Sequence, residues 1–493
     1  MKKKIISALI IICLLIAFGT LVTVEWLYDT FGHLSMDEIV FHLKVPMEGT
    51  NTDIVWTYIK QCSLKIIIPT ALISSILIYP MMKDVKKIKT SQKKRTIIIS
   101  SGIAVMILII STERIVNATD IKEYIGSLKN ESNLIETEYV DPKEVEIEFP
   151  EQKRNLIYIL LESMETTYYS KENGGLSEEE LIPEIAELAK ENINFSNTEK
   201  LGGANSLYGT TWTTGAMVAQ TAGIPLKLPF NGNLLGKYST FLGGAYTLGE
   251  ILNDNGYNNF LILGSEAEFG GRKKLFEQHG NYEIWDHISA QQEQRVEGTT
   301  WWGYTDNLLF EFAKEKILEL SEKDEPFNFT MLTADTHFPD GYLCEDCEDK
   351  WDEQYKNVIS CSSKRVGELV EWLKQQDFYD NTTIVISGDH LTMQQDFFED
   401  EDYNKTVLNV IINSEAETEN MKNRQYSTMD LYPTTLSALG ANIKGNKLAL
   451  GVNLFSDEQT LIEKYGLENV NNELMKKSVY YDKNILVSKA RKE

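Results

Sequence analysis

Asn155-Leu-Ile-Tyr-Ile-Leu-Leu-Glu162 decides the fold. Six unbroken apolar residues end at a carboxylate. A run that is apolar at both odd and even positions leaves no side for water, so it reads as a strand buried on both faces. Four more short runs share the pattern, at 259–263, 327–332, 382–386 and 408–412. Amphipathic stretches lie between them at 178–192, 304–322 and 352–376. Strands alternating with helices predict an α/β domain whose doubly wound, mainly parallel sheet carries helices on both faces. No internal repeat is visible.

In open α/β sheets, ligands gather beyond the carboxyl ends of the strands. Four runs end on Glu162-Ser163, Gly264-Ser265, Ala334-Asp335-Thr336-His337 and Gly388-Asp389-His390. Three of these ends carry metal-ligand or acid–base side chains. Asp389 and His390 can both reach a divalent cation, with Gly388 allowing a tight turn; taken alone, the residues read more readily as an ordinary strand-to-loop turn with a capping Asp. Glu162 is either a ligand or a helix-terminal charge. Glu, Asp and His together form a mixed oxygen and nitrogen set, which suits Mn²⁺, Mg²⁺ or Zn²⁺. His337 can stabilise charge or protonate a leaving oxygen, or serve as a structural hydrogen-bonder.

The stretch Gly202–Met217 is rich in glycine and hydroxyls and approaches a helix expected from about Thr213. A hydroxyl there caps the helix or acts as a metal-activated nucleophile. No Gly-Lys-Ser/Thr follows, so it is not a P-loop of the Walker type. Arg272 is a cation that could clamp a phosphate, or part of a solvated basic turn. Trp301 and Trp302 line a lipid or sugar pocket or belong to the core, with core favoured for one of them.

The front of the chain differs. Residues 1–111 hold 13 Lys+Arg against 7 Asp+Glu, whereas the remainder holds 35 against 66. The acidic body, and a formal net charge of −25 overall, exclude general nucleic-acid binding. Three charge-free apolar runs, at 5–24, 66–82 and 96–112, predict membrane-spanning helices. The first is too long for a signal-peptide core and lacks a clear cleavage site. Lys2 to Lys4 and the basic link 83–95 place those segments in the cytoplasm and everything after Thr112 outside. The expected organisation is a membrane region over 1–112, a stalk over 113–153 and an extracytoplasmic catalytic domain over 154–493.

Glu162, the run Gly209-Thr-Thr-Trp-Thr213, the run Asp335-Thr-His337 and Ser387-Gly-Asp-His390 occur in a specific order. Together they resemble the membrane phosphoglycerol transferases of the sulfatase/alkaline-phosphatase superfamily. That group includes lipoteichoic acid synthases and the phosphoglycerol transferase that decorates periplasmic glucans. The tail Met429-Asp-Leu-Tyr-Pro-Thr-Thr-Leu436 and Leu450-Gly-Val-Asn-Leu-Phe455 extend the resemblance over about residues 150–460. The resemblance implies an alkaline-phosphatase-like fold in which Glu162, Thr213, Asp389 and His390 hold one divalent ion, Mn²⁺ first. It implies that Thr213 attacks phosphatidylglycerol, that a covalent phosphoglycerol-enzyme forms, and that a glycan or glycolipid hydroxyl displaces it. His337 and Arg272 match positions that contact the substrate, and Trp302 is placed with them. Two departures speak against a polymerising synthase: three spans rather than five, and Trp212 in place of a basic residue beside the nucleophile. A phosphoethanolamine transferase, a phosphodiester or sulfate ester hydrolase of the same superfamily, and a non-catalytic tethered binding domain are the other readings.

Five Cys exclude a disulfide-dense scaffold. Cys344, Cys347 and Cys361 lie in the outer domain, where a structural disulfide to Cys361 is expected from either partner.

Overall fold

All seven residues of strand β1 (Asn155–Leu161) are buried. Its side chains alternate between two hydrophobic cores. Leu156, Tyr158 and Leu160 enter one, and Ile157, Ile159 and Leu161 enter the other. This is what a run apolar on both faces requires. The computed structural model describes residues 2–31, 36, 39–40, 52–82, 90–118, 121–127, 129–227, 240–394, 397–398, 400 and 402–487.

The central sheet has seven strands: β1, β2 (Gly203–Ala204), β3 (Asn258–Leu263), β4 (Glu283–Trp285), β5 (Phe327–Leu332), β6 (Thr382–Gly388) and β7 (Val407–Ile412). Their spatial order is β2-β7-β6-β1-β5-β3-β4. From β6 through to β4 every pairing is parallel. β7 runs antiparallel to β6, and β2 antiparallel to β7. The sheet is therefore mainly parallel with a reversed edge.

Helices cover both faces. Helices α1 (Lys2–Phe31), α2 (Thr52–Met82) and α3 (Thr90–Ala118) precede the sheet. Around it lie α4 (Pro183–Glu191), α5 (Thr213–Ala222), α6 (Arg272–Gln278), α7 (Asp306–Ser321) and α8 (Gln354–Leu373). Apolar residues of α4, α7 and α8 enter the core with Ile157, and those of α5 and α6 the core with Tyr158. Burying a large side chain is worth about 1.5–3 kcal/mol, so the doubly covered sheet is the stable centre.

The chain divides into two units, and Gly126–Glu493 belongs to the larger. The alternating stretch near 145–149 is not a free linker, because Val145, Ile147 and Phe149 pack against the core while the intervening glutamates face out. Ile147–Glu148 pairs antiparallel with Asn442–Ile443. Val140 and Ala449 exchange backbone hydrogen bonds of 2.9 and 2.8 Å. Strand-like alternation was visible in the sequence, but its partner lies almost 300 residues downstream.

In the smaller unit, three helices are long and apolar enough to cross a membrane, at Lys4–Asp29, Trp56–Tyr79 and Lys94–Asn117. Polar side chains link α1 and α2: Trp26 Nε1 donates to Gln61 Oε1 at 3.0 Å, and the hydroxyls of Thr23 and Tyr58 lie 2.7 Å apart. Such contacts join helices where apolar surface alone gives no preference over lipid. The expected basic link is mostly outside the described residues, since 83–89 are not among them.

Candidate active site

Two neighbouring strands end side by side and deliver three of the four candidate ligands. Leu161 of β1 is opposite Gly388 of β6, so Glu162 and Asp389 leave the sheet as neighbours. Gly388 is required by close approach, because a Cβ there would lie 1.9 Å from the Met164 carbonyl oxygen. Thr213 opens α5 and is half-buried. Its hydroxyl lies 3.4 Å from Glu162 Oε2 and 3.4 Å from His390 Nε2. His390 Nε2 is 3.5 Å from Glu162 Oε1 and 3.4 Å from Asp389 Oδ2. Ligand atoms of Glu162, Asp389 and His390, all buried, lie within 4.8 Å of one another.

The donor set fits a divalent cation. Asp389 Oδ1 accepts from the backbone N–H groups of Ser163 and His390, at 2.8 and 2.7 Å. Its Oδ2 is buried without a hydrogen-bond partner and is directed into the cluster. His390 Nδ1 meets the Leu391 carbonyl at 2.8 Å. A carbonyl only accepts, so Nδ1 carries the proton and Nε2 presents its lone pair to the cluster. Burial, then the charge of Glu162, push the Asp389 carboxyl up. Burial acts the same way on Glu162, and the neighbouring imidazoles of His390 and His337, when protonated, outweigh it. Two buried carboxylates face one another here, an arrangement that a divalent ion would stabilise.

The sequence-predicted substrate residues arrive at the same place. His337 and Arg272 both lie within electrostatic reach of Glu162. Arg272 is buried, and burial lowers its pKa to about 10. Its Nε and Nη2 donate to the carbonyls of Phe269 and Glu266, fixing the guanidinium. His337 Nδ1 donates to the Phe338 carbonyl at 2.7 Å. Burial lowers the His337 pKa, so the resting ring is neutral with an accepting Nε2. The two tryptophans divide their tasks. Trp301, at φ 59°, donates from Nε1 to the Ala334 carbonyl and anchors the turn. Trp302 places its ring 4.6 Å from His337 and 5.8 Å from Phe269.

The sulfatase family model matches residues 154–441. The chain belongs to the sulfatase family. The resemblance carried by the ordered motifs is thereby borne out. Phosphoglycerol transferase I of Escherichia coli is 32% identical over 323 residues, which cover 63% of this chain and 40% of that protein. The chain thus spans well under half the length of the curated relatives it matches. The integral membrane protein lipooligosaccharide phosphoethanolamine transferase A from Neisseria meningitidis superposes with a TM-score of 0.53 at 12% identity, over 88% of this chain and 84% of that one. That likeness shows a shared fold.

Several residues that support the candidate site were given no role by sequence. Ser163, at φ 55°, donates from Oγ to Glu162 Oε1 at 2.8 Å. Thr333 Oγ1 accepts from the Glu162 N–H, and Thr336 Oγ1 donates to the Glu162 carbonyl. Gln220, fully buried, bridges α5 to the end of β6. A polar amide within the apolar stretch of α5 was the available signal for it.

Proposed function

We propose that this chain transfers phosphoglycerol from phosphatidylglycerol to a cell-envelope glycan or glycolipid, through a phospho-threonine at Thr213. The observation that carries the chemistry is a hydroxyl at a helix start, 3.4 Å from both a buried carboxylate and an imidazole nitrogen. The 32% identity to phosphoglycerol transferase I supports the choice of head group.

Glu162, Thr213, Asp389 and His390 would hold one divalent ion, with Mn²⁺ favoured and Mg²⁺ or Zn²⁺ as alternatives. Bound there, such an ion lowers the pKa of the threonine hydroxyl and offsets charge on phosphorus. Thr213 Oγ1 forms a bond to phosphorus as the bond to the diacylglycerol oxygen breaks. The free N–H groups at the start of α5 and the Arg272 guanidinium orient the phosphate. The oxygen of the acceptor hydroxyl then bonds to phosphorus as the bond to Thr213 Oγ1 breaks, which moves the phosphoglycerol group to the acceptor and the hydroxyl proton to Thr213. His337 Nε2, an acceptor in the neutral ring, takes a hydrogen bond from that hydroxyl. Trp302 forms an aromatic wall beside the head group. The three spans hold the enzyme in the cell membrane, with the catalytic domain on the extracytoplasmic side where donor and acceptor meet.

The test uses detergent-solubilised full-length protein, Mn²⁺ and head-group-labelled phosphatidylglycerol. Diacylglycerol release with label retained on Thr213 is expected. Turnover of phosphatidylethanolamine instead would move the head-group assignment and keep the threonine chemistry. Diacylglycerol release at the wild-type rate by Thr213→Ala would refute the covalent step.

A further inference from the structure

Three sulfurs meet beside the segment that follows His337. Cys347 and Cys361 form a disulfide. The Cys344 thiol lies 3.0 Å from Cys347 Sγ, and all three sulfurs fall within 4.8 Å. The local sequence explains the arrangement. Cys344 and Cys347 span one turn, closed by the Cys347 N–H donating to the Cys344 carbonyl at 3.1 Å. Cys361 and Arg365, four residues apart on α8, share a helix face. Arg365 Nη2 thereby donates to Cys344 Sγ at 2.8 Å and lies 4.0 Å from Cys347 Sγ. A guanidinium at that position meets the negative charge that develops on sulfur during exchange. A structural disulfide needs neither a third sulfur in contact nor a cation upon it.

We propose that these residues form an intramolecular thiol–disulfide exchange site, in which Cys344 displaces Cys361 from Cys347. Cys344 gives its proton to solvent, and its thiolate attacks Cys347 Sγ. The Cys344–Cys347 bond forms as the Cys347–Cys361 bond breaks. The electron pair leaves on Cys361, which takes up a proton, so neither oxidant nor reductant is consumed.

The exchange changes what the bond holds. Cys361 belongs to α8, whereas Cys344 and Cys347 belong to one turn. The Cys347–Cys361 bond staples the segment after His337 to the helix. The Cys344–Cys347 bond closes a ring within the turn and removes that staple. Hydrogen bonds from Gln354 Nε2 to the carbonyls of Asp340 and Gly341, at 3.2 and 2.9 Å, then remain between segment and helix. The same segment is tied to the site through the Tyr342 N–H, which donates to the Asp335 carbonyl at 2.7 Å. The sulfur chemistry is independent of the head group transferred.

The test maps free thiols in oxidised, full-length protein held at mildly alkaline pH without reductant. An acid quench, alkylation and peptide mass spectrometry then report each cysteine. Label divided between Cys344 and Cys361, with none on Cys347, is the expected result. Cys361→Ala should form a Cys344–Cys347 bond, and Cys344→Ala a Cys347–Cys361 bond. Amide exchange over 338–350 should be faster in Cys361→Ala than in Cys344→Ala. Label confined to Cys344 at all times, label on all three, or two free thiols in Cys361→Ala would overturn the exchange. Equal amide exchange in the two variants would overturn the coupling to the segment.

Discussion

Gln220→Met asks whether one side chain holds the helix of the proposed nucleophile in register with the strand end that carries the candidate metal ligands. Gln220 lies seven residues after Thr213, two turns along the same face of α5. Its Nε2 donates to the Gly388 carbonyl at 2.9 Å, and its Oε1 accepts from the Tyr158 hydroxyl at 2.8 Å. Tyr158 stands on β1 and Gly388 ends β6, so the amide joins three elements. Methionine keeps the volume and removes both bonds, together with a longer one of 3.4 Å from Nε2 to the Asp389 carbonyl. Each buried partner left unsatisfied costs about 1–3 kcal/mol, giving about 2–6 kcal/mol for the pair. That is a large share of a domain stability of about 5–15 kcal/mol, yet it leaves a folded protein in most of that range. A displaced strand end should also weaken Mn²⁺ binding by about 10–100-fold, as loss of an outer partner to metal ligands typically does. Thermal unfolding reads the first effect and calorimetric Mn²⁺ titration the second. Tyr158→Phe should produce part of both, and the double variant less than the sum, because the two side chains share one bond. Lower stability with wild-type Mn²⁺ affinity and turnover would show that Gln220 only fills the core, and the reasoning would fail.

Thr213→Ala should lower transfer by at least about 10³-fold and abolish protein labelling; wild-type turnover would exclude Thr213 as nucleophile. Chelation should lower the melting temperature, and added Mn²⁺ should restore it, because buried Glu162 and Asp389 then regain a compensating charge. A melting temperature indifferent to Mn²⁺ would contradict the metal assignment. Asp335 should make stability fall as pH rises. Burial, then the charge of Asp306, raise its carboxyl pKa, so the folded state keeps a proton that the unfolded chain releases above about pH 4. This contribution is complete at acid pH and is lost as pH climbs toward the raised value. Asp335→Asn keeps an acceptor for the Asp306 N–H and should flatten the profile between mildly acid and mildly alkaline pH. Parallel urea-unfolding profiles for wild type and variant would count against it.

The strands were legible because burial on both faces writes itself into composition. The runs at 155–161 and 327–332 coincide with β1 and β5, and the others lie within two residues of β3, β6 and β7. The direction of β7 was not legible, since antiparallel pairing at a sheet edge depends on chain path and not on local residues. The pairing of the alternating stretch near 145–149 was not legible for the same reason, since its partner lies far along the chain. Cys361 was correctly placed in a disulfide, but three cysteines gave no means of choosing Cys347 over Cys344.

The site was more legible than its supports, and the sheet explains why. Glu162, the Thr333–His337 segment and Asp389-His390 are separated by more than 50 residues or by more than 170, yet they follow β1, β5 and β6, which are adjacent in space. Neighbouring strands lie about 4.8 Å apart. Parallel register, with Leu161 opposite Gly388 and Leu160 opposite Leu332, brings the next residues of each strand together without any further instruction. A carboxylate immediately after such a strand is therefore delivered to ligand distance by backbone pairing alone. Ser163, Thr333, Thr336 and Gln220 only orient groups already assembled. Their choice depends on side-chain reach across elements, which no local pattern encodes. Substitutions at these four should therefore shift geometry and metal affinity, whereas substitutions at Glu162 or Asp389 should remove the ligand itself.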